Sequence, residues 1–318
     1  MKIPNIFRLL RKTRKSAGWF AVCLNRRGIF LARVDFVGRR PRVVECAFHP
    51  EQEVTPSVLE RVCKRARFAD QQLTTLLAPG EYQLLMVEAP NVPAGELKSA
   101  VRWRIKDMLN YHLDDATVDV LQIPGGKFVA GRQQSVFAVA ASNVVLQRHI
   151  ALFEKAGLSL GVIDIPEMAQ RNIAALFEEE GSGLTFLSFN DDGGLLTVTA
   201  GGELYLSRRI EVTLGQLQDA NEILRAQHFE RVGLELQRSL DYMSRQYQSV
   251  AIRRIVIAVP EGNGLEAALA ENIELPIERL DLASVMDIGA VPDLARGDFA
   301  VESLHALGAA LRQERKAL

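Results

Sequence analysis

The chain has 318 residues, 48% of them hydrophobic and 24% charged, which is enough apolar material for two lobes and too much for a disordered chain. Its net charge of −1 gives no global field for nucleic acid, and no apolar run approaches the ~20 residues of a membrane-spanning helix. The cysteines Cys23, Cys46 and Cys63 form no CxxC pair, which argues against a disulfide framework and suits a reducing cytoplasm.

The N-terminal residues 1–15, MKIPNIFRLLRKTRK, are basic, and no acidic residue precedes Asp35. Ile3, Ile6, Phe7 and Leu10 fall near one helical face. Two readings fit: a short helix drawn to anionic lipid, or a solvated tail. The segment lacks the apolar core and cleavage site of a secretory signal.

Residues 19–34 then read as strand, tight turn and strand, with Asn25-Arg26-Arg27-Gly28 at the turn. Residues 41–48 give a third strand. The spacing predicts a helix over 55–78, capped by Thr55 with Pro56 at its first position and stopped by Pro79-Gly80. The short apolar run 82–88 reads as a buried strand that completes a β-β-β-α-β unit.

After a proline-rich break at 89–93, a helix is expected over 94–111, with Leu97, Val101, Ile105 and Met108 on its apolar face. Strands follow at 117–123 and 135–141, then a helix at 144–156 ended by Gly157. A strand at 160–165 and a helix from Pro166 to about 177 complete this part. The polar, glycine-rich stretch 178–183 is the best boundary in the chain.

Beyond it, residues 184–209 form a second β-meander, with Asp191-Asp192-Gly193-Gly194 at its first turn. A long helical region spans 214–248, with Leu236, Leu240, Met243 and Tyr247 facing a core. Strands at 254–259 and 277–280 and a closing helix at 298–312 finish an echo of the first unit. The expected organisation is therefore a basic tail at 1–18, a first lobe at 19–88, an inserted α/β subdomain with the lobe connection at 89–180, and a second lobe at 181–318.

Motifs for chemistry are scarce. The five histidines are scattered without HExxH spacing, Ser135, Ser142 and Ser188 do not sit in GxSxG, and neither GxxxxGK[ST] nor a strand-to-helix GxGxxG occurs. Asp191 and Asp192 read as a solvated hairpin turn rather than a metal site. Arg102-Trp103-Arg104 lie around a helix and form no stacking platform for bases.

Three phrases carry a resemblance: APNVPAGELKSAVRWRIKDMLNYHLDDATVDV at 89–120, SVFAVAASNVVLQRHIALFEKAGLSLGVIDI at 135–165 and GLELQRSLDYMSRQY at 233–247. In this order they resemble the PilM family of type IV pilus assembly proteins, within the actin-like ATPase superfamily. The resemblance implies a bilobal α/β fold of duplicated RNase H-like units with a PilM/FtsA-type extra subdomain. Active members carry an Asp, a Gly and a Lys in the first hairpin. Laid on this sequence, those positions fall on Cys23, Asn25 and Phe30. The second phosphate hairpin falls on Ser188 and Asn190, and the adenosine loop on Val259 and Pro260, with Gly262 and Gly264 just beyond.

Without carboxylates at those positions, the resemblance implies no magnesium-bound triphosphate and no hydrolysis. Asn25 still permits a left-handed turn, and Arg26 and Arg27 can attract an anion, so weak metal-free ATP binding stays open. No cofactor and no metal are expected.

The implied function is a cytoplasmic scaffold of a pilus platform of the mannose-sensitive haemagglutinin (MSHA) type. It would bind the N-terminal cytoplasmic peptide of a PilN-like inner-membrane protein in a groove beside the extra subdomain, roughly residues 89–177. The pilus assembly motor ATPase is a second candidate partner, and the partner protein and basic tail would tie the scaffold to the inner membrane. Two rival readings are an actin-like ATPase with altered ligands and a GspL-like cytoplasmic domain of type II secretion. The chain's end at Leu318, without a membrane span, is expected to favour the pilus reading over the latter.

Overall fold

The computed structural model describes residues 19–38, 40–66, 72–124 and 134–313. The expected lipid-binding helix at residues 1–15 lies outside the described residues.

Strands β1 (Phe20–Asn25) and β2 (Gly28–Val37) form the first hairpin, in register from Phe20↔Arg33 to Asn25↔Gly28. β3 (Arg40–Pro50) pairs along β2. Helix α1 (Pro56–Arg65) starts as expected: the Thr55 hydroxyl accepts from the Val58 N–H, and Leu59, Val62 and Cys63 are buried. It stops at Arg65, however, and Leu73–Leu76 is a strand, β4, parallel to β1 and buried at every residue. Thr74 and Thr75 explain the difference, because β-branched residues fit a buried parallel strand better than a helix end.

β5 (Tyr82–Glu88) also departs from expectation. It joins no first-lobe strand but pairs antiparallel with β7. α2 (Ala94–Arg104), β6 (Ala116–Gln122) and β7 (Ser135–Ser142) complete this inserted unit, a three-stranded sheet in the order β5-β7-β6. The period-two alternation sorts its faces. Val87, Val118 and Val136 pack with Val101 of α2 and with Ile105 at its C-terminal cap. Leu84, Met86, Ile123 and Phe137 join the core of the second lobe instead. The insertion thus begins at Tyr82, inside what the sequence assigns to the first lobe.

α3 (Asn143–Lys155) returns the chain to β8 (Leu160–Asp164), which pairs with β4 and closes the sheet β3-β2-β1-β4-β8. α4 (Pro166–Phe177) crosses to the second lobe. There β9 (Gly183–Asn190), β10 (Gly193–Ala200) and β11 (Glu203–Ile210) form the second meander. α5 (Leu214–Leu217) and α6 (Glu222–Gln246) replace the single expected helical region, the break being marked by the Asn221 cap of α6. β12 (Ile252–Ala258), α7 (Leu265–Ala270), β13 (Ile277–Arg279), α8 (Leu282–Val285) and α9 (Gly297–Ala310) follow. The second sheet runs β11-β10-β9-β12-β13. Both sheets therefore order a meander, then two parallel strands, in the same way, which is the expected duplication.

The two halves exchange helices. α4 packs on β9, β10 and β11, while α9 packs back on β1, β2 and β3. α4 and α9 also cross each other at close range. A Cβ at Gly308 would lie 2.1 Å from the carbonyl oxygen of Ala169, and the Asn172 amide donates to the Gly308 carbonyl at 2.8 Å. Ala169, Ile173, Leu304 and Leu307 sit in one core that reaches residues of both sheets.

Candidate functional site: the cleft between the lobes

Each lobe points its first hairpin turn at a common cleft, and the two turns are built alike. The Asn25 side-chain oxygen accepts the N–H groups of Arg27 at 2.9 Å and Gly28 at 3.0 Å. The Asn190 oxygen accepts the N–H of Asp192 at 2.8 Å. Such Asx bonds fix a two-residue turn. A glycine at positive φ follows each, Gly28 at 146° and Gly193 at 120°. Both lie against the third strand of their meander: a Cβ would come within 2.1 Å of the His49 carbonyl oxygen in one and 2.9 Å of that of Ile210 in the other. The frame Asn-x-x-Gly is thus repeated, and only the charges it carries differ, Arg26-Arg27 in the first lobe and Asp191-Asp192 in the second.

Those charges meet. Arg27 Nη1 lies 2.8 Å from Glu302 on α9 and 3.8 Å from Asp191. Its guanidinium also sits 5.4 Å from the centroid of the Phe48 ring. The hydrogen bond that Arg27 donates to Glu302 holds its pKa above the ordinary value, against a smaller opposing effect of burial.

The cleft encloses about 530 Å³. Cys23, Asn25, Arg26, Arg27, Ser188 and Asn190 all line it, although they come from opposite halves of the chain. Gly262 lies outside that lining, in the turn before α7, at a φ of 73°. Burial pushes the Cys23 thiol well above its ordinary range, with Cys46 beside it adding to the effect, so Cys23 is no nucleophile. Ser188 is also engaged. Its hydroxyl donates to Gln170 of α4, whose amide group in turn donates to the Phe186 and Leu195 carbonyls and to Thr197.

The structure adds residues that no motif marks. Phe30, Leu76, Val301 and Leu304 give the cleft an apolar floor. His305 lines it too, with a ring Nε2 that is shut from solvent and has no partner. Burial, helped by the charge of Arg209, lowers its pKa to about 4. His149 faces Glu81 at 3.0 Å. At the edge of the cleft Glu167, only 2% exposed, accepts from Arg209 at 2.9 Å and from the Tyr82 hydroxyl. That cluster ties α4, the second sheet and the inserted sheet together. Burial, then the adjoining Glu167 charge, raises the Tyr82 pKa.

Magnesium and a triphosphate fit this donor set poorly. No carboxylate stands at Cys23 or Asn25, and among the described residues no cluster of three or more His, Cys, Asp or Glu is placed to hold a metal ion. A phosphate approaching Arg27 would have to displace Glu302 and Asp191 and would meet the carboxylate of Asp192 as well.

This fold matches a solved structure along nearly its whole length. The PilM–PilN type IV pilus biogenesis complex superposes with a TM-score of 0.71 at 18% identity, over 94% of this chain and 99% of that one. The chain has an actin-like fold. Two further solved structures are more distant. The cytoplasmic domain of EpsL, an inner membrane component of the type II secretion system of Vibrio cholerae, gives a TM-score of 0.45 at 13% identity, covering 85% of this chain and 87% of that one. A Bacteroides thetaiotaomicron protein with an actin-like ATPase fold and unknown function gives 0.47 at 10% identity, covering 88% and 96%. No protein-family model and no curated protein sequence matches the chain. Within this actin-like fold, the three-stranded unit from β5 to β7 is inserted between β4 and β8 of the first lobe. No described helix is long and apolar enough to cross a membrane.

Proposed function

We propose that this protein is a non-enzymatic scaffold of a type IV pilus assembly platform, equivalent to MshI in a pilus system of the MSHA type. It works on the cytoplasmic face of the inner membrane. There it binds the N-terminal cytoplasmic peptide of a PilN-like membrane protein and, through the platform, meets the motor ATPase. The observation that carries this reading is the likeness to PilM in the PilM–PilN complex along nearly the whole chain.

The charge-paired cleft supports the same conclusion. Its hairpin tips bind each other, so a magnesium nucleotide is no part of the function, and hydrolysis is not expected. A pseudo-ATPase of this kind keeps the fold for its surfaces. An extended peptide needs backbone partners and apolar pockets but no catalytic group. In this reading the peptide lies in a groove beside the inserted unit, roughly residues 89–177.

Membrane attachment comes mainly through the partner, with the basic residues at 1–15 assisting. A pulldown with the partner's N-terminal peptide tests the reading. Retention of the folded protein is expected. Loss of all retention, or retention only when magnesium and ATP are added, overturns it.

A further inference from the structure

Arg27 belongs to the first lobe and Asp191 to the second, so the 3.8 Å contact between them spans the cleft. Three features direct it. The Asn-x-x-Gly frames aim both turns into the same space. The Phe48 ring stacks beside the guanidinium, and Glu302, on the helix that packs back on the first sheet, holds it at 2.8 Å. Arg26 and Asp192, the other members of the two tips, ion-pair with no other described residue.

We infer that the hairpin tips form an electrostatic latch, in which Glu302 and Asp191 bind Arg27 where a phosphate would stand and the chain's own charges hold the two lobes closed. The inference rests on the reading of the cleft as lacking a magnesium nucleotide. Its consequence is that the lobes keep one relative position without a ligand, so that the partner surface is presented constantly instead of being switched by nucleotide. Because Arg27 and Asp191 are both about half exposed, the latch is sensitive to salt.

Hydrogen exchange on the full chain, read at residues 23–30, 188–193 and 300–306, tests it. The variants are Asp191→Arg, Arg27→Glu, the two combined, and Arg26→Glu as a charge control. All change exposed turn residues and leave Asn25, Asn190 and both glycines in place. Each of the first two should exchange roughly fivefold faster than wild type. The combination should exchange more slowly than either single variant but faster than wild type, because the pair across the cleft is restored with its signs reversed while the carboxylate placed at position 27 faces Glu302. Arg26→Glu should match wild type. About 1 M sodium chloride should speed the wild type and leave the two opened variants unchanged.

Wild-type rates in Asp191→Arg and Arg27→Glu overturn the latch. Equal acceleration by Arg26→Glu and Arg27→Glu also overturns it, since general charge would then be the cause. A separate arm adds magnesium and ATP to the wild type. Slower exchange there overturns the reading of the cleft itself. No change with nucleotide, together with wild-type rates in the variants, overturns the latch alone.

Discussion

Glu167 shows how much depends on single side chains in this molecule. Its carboxylate is 2% exposed and has Arg209 and Tyr82 as partners. A buried charge that loses its partner is costly, whereas a neutral group of the same shape is tolerated better. Arg209→Ala should therefore destabilise the protein by about 3 kcal/mol, and Glu167→Gln by clearly less, in chemical denaturation. Equal effects would contradict a charged Glu167. His305 makes a prediction of the opposite kind. Unfolded, its imidazole takes a proton near pH 6.5, but in the fold only near pH 4. Between those values the unfolded chain binds the extra proton. The stability linked to His305 is thus complete above pH 6.5 and is lost as the pH falls toward 4. The melting temperature should drop less across that window in His305→Gln than in the wild type. Of the cleft residues, Arg27 and Asn190 could be read from hairpin patterns. Glu302 could not, because it reaches Arg27 across 275 positions and nothing local marks it.

At the scale of elements, the crossing of α4 and α9 joins the two halves. Gly308→Ala would push a methyl group into the backbone of Ala169. Helices that carry strands on either side cannot separate freely, so a loss of about 2 kcal/mol is expected. Differential scanning calorimetry checks it, and an unchanged transition would mean that the helices have room to part. The same scale explains where the sequence misled. Both meanders were legible because Asn-x-x-Gly turns and alternating apolar residues are local signals. The Leu73–Leu76 strand was not, since Leu73 also continues the helical spacing of α1 and only its partner β1 shows which pattern holds. Tyr82–Glu88 reads as a buried strand under any assignment, but the sheet it joins is decided by β7, more than 45 residues later.

For the whole molecule, the fold and the cleft carry different messages. The two sheets, the exchanged helices and the inserted unit are those of an actin-like protein. The cleft that such a fold provides is bridged by Arg27 and its carboxylate partners. The architecture is retained, and the function proposed for it lies in binding a membrane partner. Isothermal titration of the full chain with the N-terminal peptide of a PilN-like protein, run with and without magnesium and ATP, tests that claim most directly. Saturable one-to-one peptide binding of the same affinity in both conditions is expected, with no heat from the nucleotide alone. Peptide binding that appears only with magnesium and ATP, or none at all by the folded protein, would contradict it.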